Sequence, residues 1–111
     1  MTIYKILPKA LWAEALESGT FTGSPVDVAD GFIHFSTGAQ VHETAARHFT
    51  GVADLLLVAI EADALGDGIR WEPSRGGALF PHLYGPLPVK LAQWVKPLPL
   101  DAHGKPRVPE L

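Results

Sequence analysis

An α+β fold, with two main helices set against a small mixed or antiparallel sheet, is what the order of elements in this sequence predicts. Three observations lead there. The continuous apolar run "DLLLVAI" (Asp54 to Ile60) has the length of a strand that is covered on both faces. Ahead of it, two segments carry apolar residues at helical spacing, each between its own start and stop signals. Behind it come short strand-like segments separated by turn residues. The sequence order is therefore β-α-β-α followed by β-β-β, which segregates helices from strands.

Each element follows from local pattern. "TIYKIL" (Thr2 to Leu7) alternates, with Ile3, Lys5 and Leu7 on one side and Tyr4 and Ile6 on the other, and reads as a first strand. Pro8 suits the first turn of a helix, and "KALWAEALESG" follows with Leu11, Trp12, Ala15 and Leu16 on one face. Gly19 after Ser18 is its stop signal. Residues 19–31, rich in Gly, Thr, Ser, Pro and Asp, read as a surface loop. "GFIHFS" is short and apolar between turn signals, and so reads as a buried strand. Thr37 and Gln40 form a capping-box pattern into a helix whose inner face is Val41, Ala45 and Phe49, with Gly51 closing it. After Ile60, "ADALGDG" is a turn and "IRWEP" a short strand. Pro73 to Gly77 is a loop, and the prolines of "GALFPHLYGPLP" predict a mostly irregular path. "VKLAQWV" (Val89 to Val95) is the last strand. Residues 1–96 thus make a single domain, and 97–111, proline-rich and without periodicity, are expected to form a poorly ordered tail.

Composition narrows the function classes. The 111 residues are 47% hydrophobic and 19% charged, ordinary for one globular domain. A net charge of −3 gives no basic footprint for DNA or anionic membranes. There is no cysteine, which removes disulfides, thiolate metal sites and a cysteine nucleophile. No stretch reads as a signal peptide or a membrane span, so a cytoplasmic location is the expectation.

Histidines dominate the candidate chemistry. In "HETAARH", His42 and His48 stand at i and i+6, about 120° apart on a helix, instead of the i, i+4 that places two imidazoles on one zinc ion. Two exposed helical histidines and no metal site is the expected reading. His34 differs, because a strand that buries Ile33 and Phe35 turns His34 and Ser36 to the opposite face. There the imidazole either closes a hydrogen bond to the backbone or looks into a polar groove. In "FPHLYGPLP" (Phe80 to Pro88) the prolines restrict the backbone, so a loop holding His82 and Tyr84 costs little further ordering; it is either a binding wall or a lid over the sheet. "RWEPSRGG" adds Glu72 and Arg75, which serve a ligand or simply solvate a glycine-rich turn. A surface that pairs with a protein partner through Trp94, Leu98 and Leu100 is a third reading.

The segments "DGFIHFSTGAQVHETAARHF", "DLLLVAI", "IRWEPS" and "FPHLYGPL" together resemble the small bacterial proteins grouped as domain-of-unknown-function family 952, over Ile3 to about Val95. That family is in turn similar, distantly, to the ADP-ribosyltransferase fold, a split sheet that clasps NAD. The second resemblance implies a cleft for NAD or a related nucleotide, or for a phosphorylated ligand as in the RNA 2′-phosphotransferase branch. It implies His34 and His82 as catalytic residues, with His34 as the ring that stacks on nicotinamide. Lys5, Ser36, Glu72, Arg75 and Tyr84 are the implied ligand-binding residues. Many members carry a histidine in the first strand where this chain has Lys5, which donates hydrogen bonds but accepts none. A small-molecule binding module without catalysis is the alternative that the same residues imply.

Overall fold

The structure, a computed structural model, describes the backbone of residues 1–111 and every side chain but that of Arg75. In chain order the elements are β1 (Thr2–Pro8), α1 (Lys9–Ser18), β2 (Thr20–Phe21), α2 (Pro25–Asp30), β3 (Ile33–His34), β4 (Ser36–Thr37), α3 (Val41–His48), β5 (Leu55–Glu61), β6 (Ile69–Pro73), β7 (Leu79–Leu83), β8 (Leu87–Pro88) and β9 (Ala92–Leu98). Short 3-10 segments occupy Ala62–Gly68, Arg75–Gly77 and Val89–Leu91, the first of them kinked at Gly66. All strand pairings are antiparallel. One sheet runs β4-β1-β5-β9, a second runs β3-β7-β6, and β2 pairs with β8. The fold is α+β with antiparallel sheets and several helices, none long and apolar enough to cross a membrane.

β5 is the spine of the larger sheet. It pairs with β1 from Thr2–Glu61 to Pro8–Leu55 and with β9 on its other edge. Its alternate residues feed two separate cores, as the continuous apolar run requires. Val58 and Ile60 join Ile3, Leu7, Trp12, Phe21, Ile33 and Leu83 on the α1 side. Leu55, Leu57 and Ala59 join Tyr4, Ile6, Val41 and Ala45 on the α3 side. α1 ends where Gly19 takes the left-handed conformation (φ 87°) and returns its N–H to the Ala15 carbonyl, and it buries Trp12 and Ala15. Leu16, expected on the inner face, is exposed, because the face of α1 that meets the core carries Leu11, Trp12 and Ala15.

Three stretches depart from local pattern. Residues 19–31 are not one loop: they hold β2 and α2. α2 starts with a reciprocal capping box in which Ser24 and Asp27 satisfy each other's ends, with Pro25 at the first helical position. The single strand expected at "GFIHFS" is two. Ile33–His34 pairs with β7 and Ser36–Thr37 pairs with β1, so the chain changes sheets at Phe35. "LFPHL", expected to be irregular, is the central strand of the second sheet. Pro81 is tolerated there because an extended residue's N–H and C=O point the same way. Its carbonyl accepts from Phe35 N (3.0 Å), so the missing donor lies where β3 has already ended and not toward β6.

The last strand is also displaced, running over Ala92–Leu98 because a 3-10 turn takes Val89–Leu91. Leu98 is buried, which removes it from the exposed pairing surface anticipated with Trp94 and Leu100. Past it, Leu100 bridges Pro106, Gly51 N donates to Gly104 O, and Val108 packs on the α3-side core. The proline-rich segment is thereby anchored, where composition alone suggested a loose tail. Truncating the spine tests the two-core arrangement: Leu57→Ala lowers unfolding stability by about 2–5 kcal/mol in urea titrations, while Leu16→Ala stays within about 0.5 kcal/mol of the parent.

Candidate functional site

A cleft of about 500 Å³ opens where the chain passes from one sheet to the other. Tyr4, Ile6, Phe35, Phe49 and Phe80 make an apolar wall, and His34, Ser36, Thr44, His48 and His82 put polar atoms along it. That size and composition suit a small molecule. β1, β3, β4, β7 and α3 each contribute, so the cleft is set by the sheet packing and not by one loop.

The two histidines singled out from sequence meet here. Strand register places His34 directly opposite His82, with ring centroids 5.5 Å apart. Phe32 stacks on the His82 ring at 4.1 Å and lies tilted against His34 at 4.6 Å and Tyr84 at 5.3 Å. One face of His34 is therefore engaged by Phe32, where the resemblance assigned that ring to stacking on nicotinamide.

Each imidazole is oriented by a carboxylate. His82 Nδ1 lies 2.9 Å from Glu72 Oε1, which also accepts from the Tyr84 hydroxyl at 2.8 Å. The carboxylate selects the tautomer protonated at Nδ1, so Nε2 carries the lone pair in the neutral ring. The hydrogen bonds from His82 and Tyr84 hold the Glu72 carboxyl below its ordinary range, and the bond to Glu72 pushes the Tyr84 phenol up. Arg70 lies over the Tyr84 ring at 5.3 Å. Glu72 and Tyr84, expected as ligand contacts, thus stand behind His82 and position it; neither lines the cleft.

His34 is held from both ends. Nδ1 is 2.6 Å from Asp27 Oδ1 and Nε2 is 2.9 Å from Asp30 Oδ2. Carboxylates only accept, so both contacts are made together by the protonated ring. Asp27 is almost fully buried and gathers further donors: Lys5 Nζ at 2.9 and 3.0 Å, His34 N at 3.1 Å, and Ser24 N and Oγ at 2.8 and 2.9 Å. Burial pushes the Asp27 carboxyl up, but the His34 bond, the Lys5 charge and the Ser24 amide outweigh it and hold the group well below the usual carboxylate range. Burial likewise lowers Lys5, opposed by the charge of Asp27.

Lys5 therefore forms part of the cleft wall with its ammonium directed to Asp27. Ser36 is buried and hydrogen-bonded to Thr44 at 3.0 Å. Arg75 was a sequence candidate whose side chain lies outside the described residues. His48, expected to be merely an exposed helical residue, reaches the cleft one turn after Thr44. Asp27 and Asp30 escaped the sequence reading altogether. The signal for Asp27 was local, Ser24-Pro25-Val26-Asp27, a capping box with proline at its first helical position inside the supposed loop.

A family model described as "Protein of unknown function (DUF952)" matches residues 6–95. Two solved structures of protein CC0527 from Caulobacter crescentus are similar throughout. The crystal structure shares 54% identity at a TM-score of 0.94, covering 96% of this chain and 94% of that one. The solution NMR structure shares 55% at 0.86, covering 96% and 91%. No curated protein matches.

Two outcomes follow from the Asp27 cluster. Asp27→Ala strands the buried Lys5 cation and costs about 3–5 kcal/mol of unfolding stability. The native Asp27 carboxyl titrates below the value of about 3.9 for an unfolded aspartate, so below that pH the unfolded chain takes up the proton first. The stability it contributes is present above about pH 4 and is lost as pH falls through the native value. Urea midpoints measured from pH 6 downward therefore show an acid limb, and that limb is shallower in Asp27→Asn.

Proposed function

We propose a function for this chain, which belongs to the DUF952 family, from the chemistry of its cleft: a site for NAD, a related nucleotide or another phosphorylated small molecule, in which His34 and His82 support group transfer of the ADP-ribosyl- or phospho-transferase kind. One observation carries this reading. Two imidazoles from different strands, each fixed at Nδ1 by its own carboxylate, meet 5.5 Å apart at a cleft of small-molecule size. Carboxylate-oriented histidines are a recurrent acid–base device, and here their roles differ. His34, bonded at both nitrogens, acts as a fixed positive donor. His82 offers Nε2 as the base: it takes the proton of an incoming hydroxyl as that oxygen bonds to ribose carbon or phosphorus, and the leaving group departs with the electron pair of its bond. Likeness to the ADP-ribosyltransferase fold adds an analogy only.

The second reading is a binding module without catalysis. It is favoured by the ion pair that engages the lysine of the cleft wall: Lys5 is paired with Asp27. One experiment separates the two. Millimolar NAD, ADP-ribose and nucleoside phosphates shift the ring C–H signals of His34 and His82 in NMR titrations under both; silence at both rings for all of these ligands removes both. His82→Gln retains binding in either case and loses at least about 100-fold in turnover if the cleft is catalytic. A wild-type protein that binds but turns nothing over is the module.

A further inference from the structure

The four ionisable groups of the cluster formed by Lys5, Asp27, Asp30 and His34 differ in how firmly they are held. Lys5 and Asp27 are almost fully buried and bonded to one another. His34 is bonded to Asp27 through both its backbone N–H and Nδ1, which fixes the ring. Asp30 is different: its side chain is 48% exposed, it lines the cleft, and its carboxylate bonds to His34 Nε2. It is the last residue of α2, and Gly31 follows in the left-handed conformation (φ 86°) with open space around its Cα. Within this group the Lys5 ammonium and the His34 imidazole face the carboxylates of Asp27 and Asp30. Removing Asp30 leaves His34 Nε2 without its anionic partner.

We infer that Asp30 is an exchangeable internal anion: its carboxylate occupies on His34 Nε2 the place of an oxyanion, phosphate or carboxylate, carried by the ligand, and binding displaces it. Such an exchange replaces one anion by another and keeps both imidazole nitrogens bonded. A neutral ligand has nothing to exchange for Asp30, and the cleft therefore selects for a negatively charged group next to the aromatic wall. Exposed ion pairs are weak, and Asp30 is correspondingly a tunable competitor that sets affinity without building the site. This deepens the reading of the same cleft given above and rests on it for the nucleotide class of the ligand.

The experiment uses inorganic phosphate, acetate, AMP and adenosine as probes, with the ring signals of His34 as readout in the parent, Asp30→Ala and Asp30→Asn. The expected result is a saturable phosphate or acetate response at His34 that tightens by about two- to fivefold in Asp30→Ala and tightens less in Asp30→Asn. AMP tightens in parallel and adenosine does not change. Whichever of phosphate and acetate responds more strongly identifies the oxyanion. Equal affinities in parent and Asp30→Ala, or no His34 response to any anion in either protein, overturns the exchange. If inorganic anions respond as expected but no nucleotide binds, the exchange stands and the nucleotide reading falls; if AMP binds equally to parent and variant, the reverse holds.

Discussion

The carboxylate of Asp27 is the contact on which the rest of the molecule turns. It is nearly sealed from solvent, yet it is reached by a lysine from β1, an imidazole and an amide from β3, and an amide and hydroxyl from its own helix cap. A charge in that position is tolerable only because each lone-pair direction is filled, and no buried side-chain nitrogen or oxygen among the described residues lacks a partner. Through that one group the larger sheet, the smaller sheet and α2 are held in register with one another. The lysine in the middle of β1, awkward between Ile3 and Leu7 in the apolar core, is explained by the same contact.

How much of this was legible in the sequence depended on whether the cause was local. β1, α1, α3 and β5 were legible as elements, since an apolar run or face of that length has few other places to go; that β1 is buried on both faces and that Leu16 of α1 is exposed were set by the packing around them. α2 was hidden because a six-residue helix is too short to show a period; only its cap announced it. The break in "GFIHFS" and the strand character of "LFPHL" were hidden because partner strands decide both. Phe35 changes sheets, and Pro81 is acceptable, for reasons that lie in the neighbouring chain segment.

The site shows the same division. His34 and His82 were legible as unusual residues, because an imidazole on a strand with apolar neighbours requires a reason. Their pairing was not, since antiparallel register between residues 48 apart has no sequence signature. Glu72 and Tyr84 were legible as polar groups near His82, but in the structure they support the ring and do not face the cleft. Asp27 and Asp30 look like ordinary loop acids until the fold sets one in the interior and the other at the rim. Lys5 was legible as a departure from a pattern. Its pairing explains the departure: here the first-strand position is filled by a cation matched to a buried acid.

The crossing of the chain at Phe35 has mechanical weight. His34 is stitched to one sheet and Ser36 to the other, with one residue between them and no slack to absorb relative movement. The two sheets are thereby fixed to one another through a single residue, with His34 set by its pairing to His82 and Ser36 by its pairing to Tyr4.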